Sequence, residues 1–154
     1  MRPNTPALFA SDLRIQEARA SAALPAAGAF DASPTELVCA DMEFVLLYIT
    51  YTRAGAGGAV TFKVEVSPRT ADDATLEDWY QAGILAGGAV AAGSDTTSAI
   101  QREEVEYQAT GAGAETFVYG PIELRSNVER IRIPCAESGA VGTPGTVQIT
   151  AVFA

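Results

Sequence analysis

Met42-Glu43-Phe44-Val45-Leu46-Leu47-Tyr48-Ile49-Thr50-Tyr51-Thr52-Arg53 decides the fold class. Successive side chains of a strand point to opposite faces, so Val45, Leu47, Ile49 and Tyr51 share one side and Phe44, Leu46 and Tyr48 the other. Both sides are apolar. Such a strand is central in its sheet and needs cover on each face, from a second sheet on one and from the N-terminal arm or a neighbouring subunit on the other.

Downstream, Ala54-Gly55-Ala56-Gly57-Gly58 supplies the freedom for a reversal, and Val60, Phe62, Val64 and Val66 alternate with Thr61, Lys63, Glu65 and Ser67. The pattern predicts two antiparallel strands joined by a flexible hairpin, the second ended by Pro68. Four further strands are expected, over Ser98 to Ala109, Glu115 to Arg125 with a break at Gly120-Pro121, Val128 to Cys135, and Thr146 to Phe153. Their inward sets are Val105 and Tyr107; Phe117 and Tyr119, passing to Ile122 and Leu124 across the break; Ile131, Ile133 and Cys135; and Val147, Ile149, Ala151 and Phe153. Glu104, Glu106, Arg130, Arg132, Gln148 and Thr150 point outward to a solvated face. Residues 71–94 admit two readings, a helix opening at Thr75 or a short strand near Trp79, and the glycines at 83, 87, 88 and 93 argue against a long helix.

Upstream, residues 1–34 are rich in Ala and Pro and weakly patterned, with one short half-buried strand at Asp12-Leu13-Arg14-Ile15-Gln16. The expected architecture is all-β: an antiparallel β-sandwich or jelly roll of about seven or eight strands over residues 35–154, preceded by an extended N-terminal arm over residues 1–34. The 154 residues, 48% of them apolar, suffice for one such core.

Composition narrows the function. Ten basic residues against 19 acidic ones leave a net charge of −9, and Lys63 is the one lysine. Nucleic-acid binding needs a cationic surface, and an anionic membrane would repel this chain, so neither is expected as a partner. The longest apolar run, Phe44 to Ile49, is too short to cross a bilayer, and the N-terminus lacks the pattern of a secretion signal. Histidine is absent, which removes the commonest general base and metal ligand. No enzyme and no cofactor is expected. Asp72-Asp73, Glu77-Asp78 and Glu103-Glu104-Glu106 could pair as glycosidase carboxylates, and Asp72, Asp73 and Asp95 could ligate calcium, but each also reads as a solvated loop or strand face. Cys39 and Cys135 read as core thiols; paired, they would close a long loop worth about 4–5 kcal/mol in a chain-entropy account. Trp79-Tyr80, beside acidic residues, could stack a sugar or cap the core.

Two stretches resemble small β-sandwich proteins of tailed-bacteriophage virions. In one, an alternating strand runs into Val66-Ser67-Pro68 and then Asp78-Trp79-Tyr80; in the other, Glu129-Arg130-Ile131-Arg132-Ile133 is followed by Gly142-Thr143-Pro144-Gly145-Thr146-Val147-Gln148-Ile149, like the closing hairpin of such a protein. The resemblance implies a capsid decoration protein that stabilises a phage head from outside, binding the major capsid protein as a homo-oligomer, with a trimer the expected number. The loop from Arg69 to Asp95 has no counterpart in it. The alternative is a carbohydrate- or receptor-binding sandwich module, since fold does not fix function. Leu8, Phe9, Leu13, Ile15, Phe44, Leu46, Tyr48, Trp79 and Tyr80 are the candidate partner contacts.

Overall fold

The computed structural model describes residues 13–25, 28–68, 79–81, 83–85, 100–102, 104–124, 128–139 and 142–154. Over these the chain is all-β, antiparallel throughout and without a helix. Its sheets form the two layers of a sandwich.

The first layer holds β1 (Arg14–Ala23), β3 (Phe44–Thr52), β10 (Glu115–Glu123) and β13 (Thr146–Phe153), in the order β1-β13-β3-β10. β3 is central, as its two apolar faces predict. Val45, Leu47, Ile49 and Tyr51 are fully buried on its inner side, and Val147, Ile149, Ala151 and Phe153 on the inner side of β13. On β10, Phe117 and Tyr119 pack against the core, and after a register shift between Tyr119 and Ile122 the inward set resumes at Ile122 and Leu124. That shift is a bulge at Gly120-Pro121, which keeps both apolar sets on one face. Gly120 sits there at φ +122, with a Cβ position only 2.9 Å from the Val45 carbonyl, so no side chain fits.

The second layer holds β2 (Leu37–Val38), β4 (Ala59–Lys63), β5 (Glu65–Ser67), β9 (Glu104–Gln108), β11 (Arg130–Arg132) and β12 (Cys135–Glu137). β11 pairs with β5 and β12 with β4 in the same register, and the hydrogen-bond ladder between them is interrupted where Pro134 has no N–H to donate. β6 (Tyr80–Gln81) lies against β5, and β7 (Gly83–Leu85) pairs with β8 (Ile100–Arg102). The seven or eight strands expected are thus thirteen segments among the described residues, several of them halves of one interrupted strand. The strand reading near Trp79 holds; residues 71–78 and 86–94 lie outside the described residues.

Val60, Phe62, Val64, Ile131, Ile133 and Cys135 meet the first layer in one continuous core. Phe62 bridges the layers edge-on to Tyr119, with ring centroids 5.2 Å apart.

Three expectations are corrected. Residues 54–58 do not close a hairpin, because β3 and β4 lie in different layers; β13 and β10 already occupy both edges of β3, so the chain must cross over. The C-terminal pair is likewise no hairpin, since β13 leaves β12 for the other layer. Finally, the strand expected at residues 12–16 runs on to Ala23 and pairs with β13 from Arg14↔Phe153 to Ala23↔Thr146. Residues 14–23, placed in the arm by the division at residue 34, are an edge strand of the first layer. Leu24 is buried in the core, and the Gly28 and Asp31 amides donate to Glu137 and Cys135 carbonyls.

Candidate functional site: an open apolar sheet face

Because β13 and β3 pair through eight residues without a shift, the outward side chains of the first layer form straight rows. Ile15, Val152 and Leu46 make one row, and Glu17, Thr150, Tyr48 and Val118 the next. Phe44 extends the apolar area at one end, with Leu13 just beyond β1. At the other end the face turns polar, with Thr50 and Thr116 hydroxyls 2.9 Å apart and Gln148 beside them. Ile15 is 67% exposed, Val118 52%, Leu13 47%, Tyr48 43% and Phe44 42%. Large exposed side chains gathered on one face differ from the scattered ones normal on any surface, and such patches mark contact sites. The charged residues that the register places here, Glu17 and Glu123, lie on the two edge strands.

Among the described residues the outer side of the second layer is mostly taken up by ion pairs, with Val38 on β2 its one large exposed apolar side chain. Arg132 donates from Nε to Glu65 Oε2 at 2.6 Å, Lys63 lies 2.9 Å from Glu65 Oε1, and Arg130 pairs with Glu36. The guanidinium groups of Arg132 and Arg130 lie 4.3 and 5.1 Å from the Trp79 ring centroid, and Lys63 lies 4.6 Å from that of Phe30. Burial alone would raise the Glu65 carboxyl, but hydrogen bonds from Lys63 and Arg132 outweigh it and hold the group below its ordinary value. Arg130 points outward as expected, yet it is buried rather than solvated. Trp79 is half-buried under these cations, not displayed as a free stacking platform.

Polar chemistry concentrates at one end of the sandwich. Glu137 continues the inward set of Ile131, Ile133 and Cys135 and is fully buried. Its carboxylate accepts from Tyr51 Oη at 2.9 Å and from the amides of Ala59, Gly139 and Gly145 at 2.9, 3.1 and 2.8 Å. Desolvation, with the bond to Glu137, pushes the Tyr51 phenol well above its usual range. A Cβ on Gly139 or Gly145 would lie within 2.6 Å of backbone, so the loops close tightly on this pair. Every donor is used within the fold, which makes the cluster a structural tie and leaves no room for a substrate.

A cleft of about 220 Å³ lies between Ala18, Arg19, Asp31, Pro34 and Ile133. All five N–H groups of Arg19 are engaged there, with Asp31 and the carbonyls of Ala22, Ala23 and Val147, leaving none for a ligand. Cys39 and Cys135 are free buried thiols, raised by desolvation to about 11 and about 12 and so protonated at neutral pH. Among the described residues no group of three or more His, Cys, Asp or Glu side chains comes together to hold a metal. Asp72, Asp73, Glu77, Asp78, Asp95 and Glu103 lie outside the described residues.

Of the nine candidate contacts, Leu13, Ile15, Phe44, Leu46 and Tyr48 belong to the open face. Trp79 lies on the other layer, Tyr80 contributes backbone pairing with Val66, and Leu8 and Phe9 fall outside the described residues. Val118, Val152 and Glu137 were not anticipated. Val118, between Phe117 and Tyr119, gives its strand two apolar faces, the same signal that marked β3. No protein-family model, no curated protein and no solved structure matches the chain.

Proposed function

We propose that this chain is a virion structural protein that works by assembly: it decorates and stabilises a phage capsid, binding the major capsid protein as a homo-oligomer on the capsid surface. The observation that carries the assembly part is the open face of Leu13, Ile15, Phe44, Tyr48 and Val118, an apolar surface gathered on one side of the sheet. Net acidity supports it, since a shell protein of charge −9 stays off packaged nucleic acid. The capsid setting rests on the sequence resemblance alone, and so does the trimer it implies, which the two-fold contact argued below would replace. A glycan-binding module working through Trp79 has less support, because two guanidinium groups occupy its ring. Mass spectrometry of purified particles from the source of this sequence tests the reading. The chain should be present in fixed proportion to the major capsid protein, and finding it only in the particle-free fraction would contradict the role.

A further inference from the structure

We infer that the apolar end of the open face is occupied by the same face of a second copy of this chain, the two four-stranded sheets packing face to face about a two-fold axis. The pairing rests on the assembly reading above and specifies its self-contact.

Three observations select a copy over other occupants. The first is charge. A chain of net charge −9 repels itself everywhere except where charge is missing, and Ile15, Phe44, Leu46, Tyr48, Val118 and Val152 form a neutral area with its acidic groups at the margins. A basic partner would gain nothing from this neutral face.

The second is shape. Register shifts flank Arg19 on β1 and a bulge interrupts β10 at Gly120-Pro121, so both edges of the layer resist the addition of a strand. Between them β13 and β3 are regular for eight pairs. A regular sheet face is its own complement, since two sheets pack about 10 Å apart with their side chains interleaved.

The third is area. Leu13, Ile15, Phe44, Tyr48 and Val118 together expose on the order of 500 Å², against about 800 Å² per partner in a standard interface. The half-buried Leu46, Val152 and Thr150 around them add to this area without filling it, so the contact lies at the small end of specific interfaces and should dissociate on dilution.

Light scattering after size exclusion on the full chain tests this. At tens of micromolar the mass should be twice 16.0 kDa and should fall toward 16.0 kDa on dilution. Tyr48→Glu should weaken the pair by about a hundredfold or more, since it puts unpaired charge at the contact centre. Val118→Glu on the edge strand does the same should Tyr48→Glu fail to fold, and Glu106→Lys on the other layer should leave the mass unchanged. A wild-type mass of 16.0 kDa at every concentration overturns the pairing, as does three times 16.0 kDa, because a three-fold contact joins two different patches. So does a dimer that survives both face variants. If the wild type is monomeric but is still recovered with particles, the self-contact fails while the virion role stands; a dimer absent from particles is the converse.

Discussion

Glu137 occupies a position that strand alternation reserves for an apolar side chain, and its retention there depends on four donors. Glu137→Gln keeps the shape but turns an NH2 group toward backbone amides, and should lower stability by about 2–3 kcal/mol. Tyr51→Phe removes one donor and should cost about 1–2 kcal/mol. Chemical denaturation followed by fluorescence measures both, and an unchanged midpoint in either would contradict the tie. The tie was not legible in advance, because a sequence shows Tyr51 and Glu137 as 86 residues apart and reveals nothing of the loops that carry Ala59 and Gly145 to them. The inward apolar sets were legible, since period-two alternation is local. Acid sensitivity follows from Glu115 and Glu65. Glu115 is held below 4.5 by the Tyr107 hydroxyl and by donors on Gly111 and Thr110, and Glu65 by Lys63 and Arg132 against its burial. A carboxyl depressed in the folded state contributes stability fully present above its unfolded value of about 4.5 and lost as pH falls through its folded one. Thermal midpoints should therefore hold between pH 5 and 7 for these groups and drop below about pH 4.5, with a shallower drop in Glu65→Gln. A pH profile identical in that variant would show that Glu65 does not contribute.

β1 shows how an element can be settled by its neighbour. Arg14–Ala23 is alanine-rich and has little strand preference of its own, which is why only its first residues read as a strand. Its structure is imposed by β13, whose outer edge would otherwise carry unpaired backbone groups, and is locked by Arg19, whose guanidinium spans Asp31 and three carbonyls. The crossovers after β3 and β12 were missed for a related reason. Glycine-rich connectors permit a hairpin and a change of layer alike, and the choice belongs to whichever strands fill the edges of β3. Truncation separates the two parts of the N-terminal region. Removing residues 1–12 leaves every pairing of β1 intact and should leave the melting temperature within a few degrees. Removing residues 1–23 strips β13 of its partner, discards Ala18 from the core and leaves Asp31 without Arg19, so the product should unfold or precipitate. Circular dichroism melts of both shortened chains decide it, and a soluble, cooperative melt after the longer deletion would mean that β1 is dispensable.

At the scale of the whole molecule the two outer surfaces differ in kind. Among the described residues one is covered largely by Trp79, Phe30 and a chain of ion pairs, while the other presents Ile15, Phe44, Tyr48 and Val118 to solvent on three of its four strands. The need for cover on the second side of β3 was readable from twelve residues of sequence; which of the two layers would remain open was not, because it depends on where distant segments fold back. Burial of that open face on assembly is read by hydroxyl-radical footprinting at the side chains concerned. Labelling of Phe44, Tyr48 and Leu46 should decrease as protein concentration rises from nanomolar to tens of micromolar, while labelling of Tyr107 on the second layer stays constant. Equal labelling of the open face at all concentrations, with or without protection elsewhere, would contradict the account.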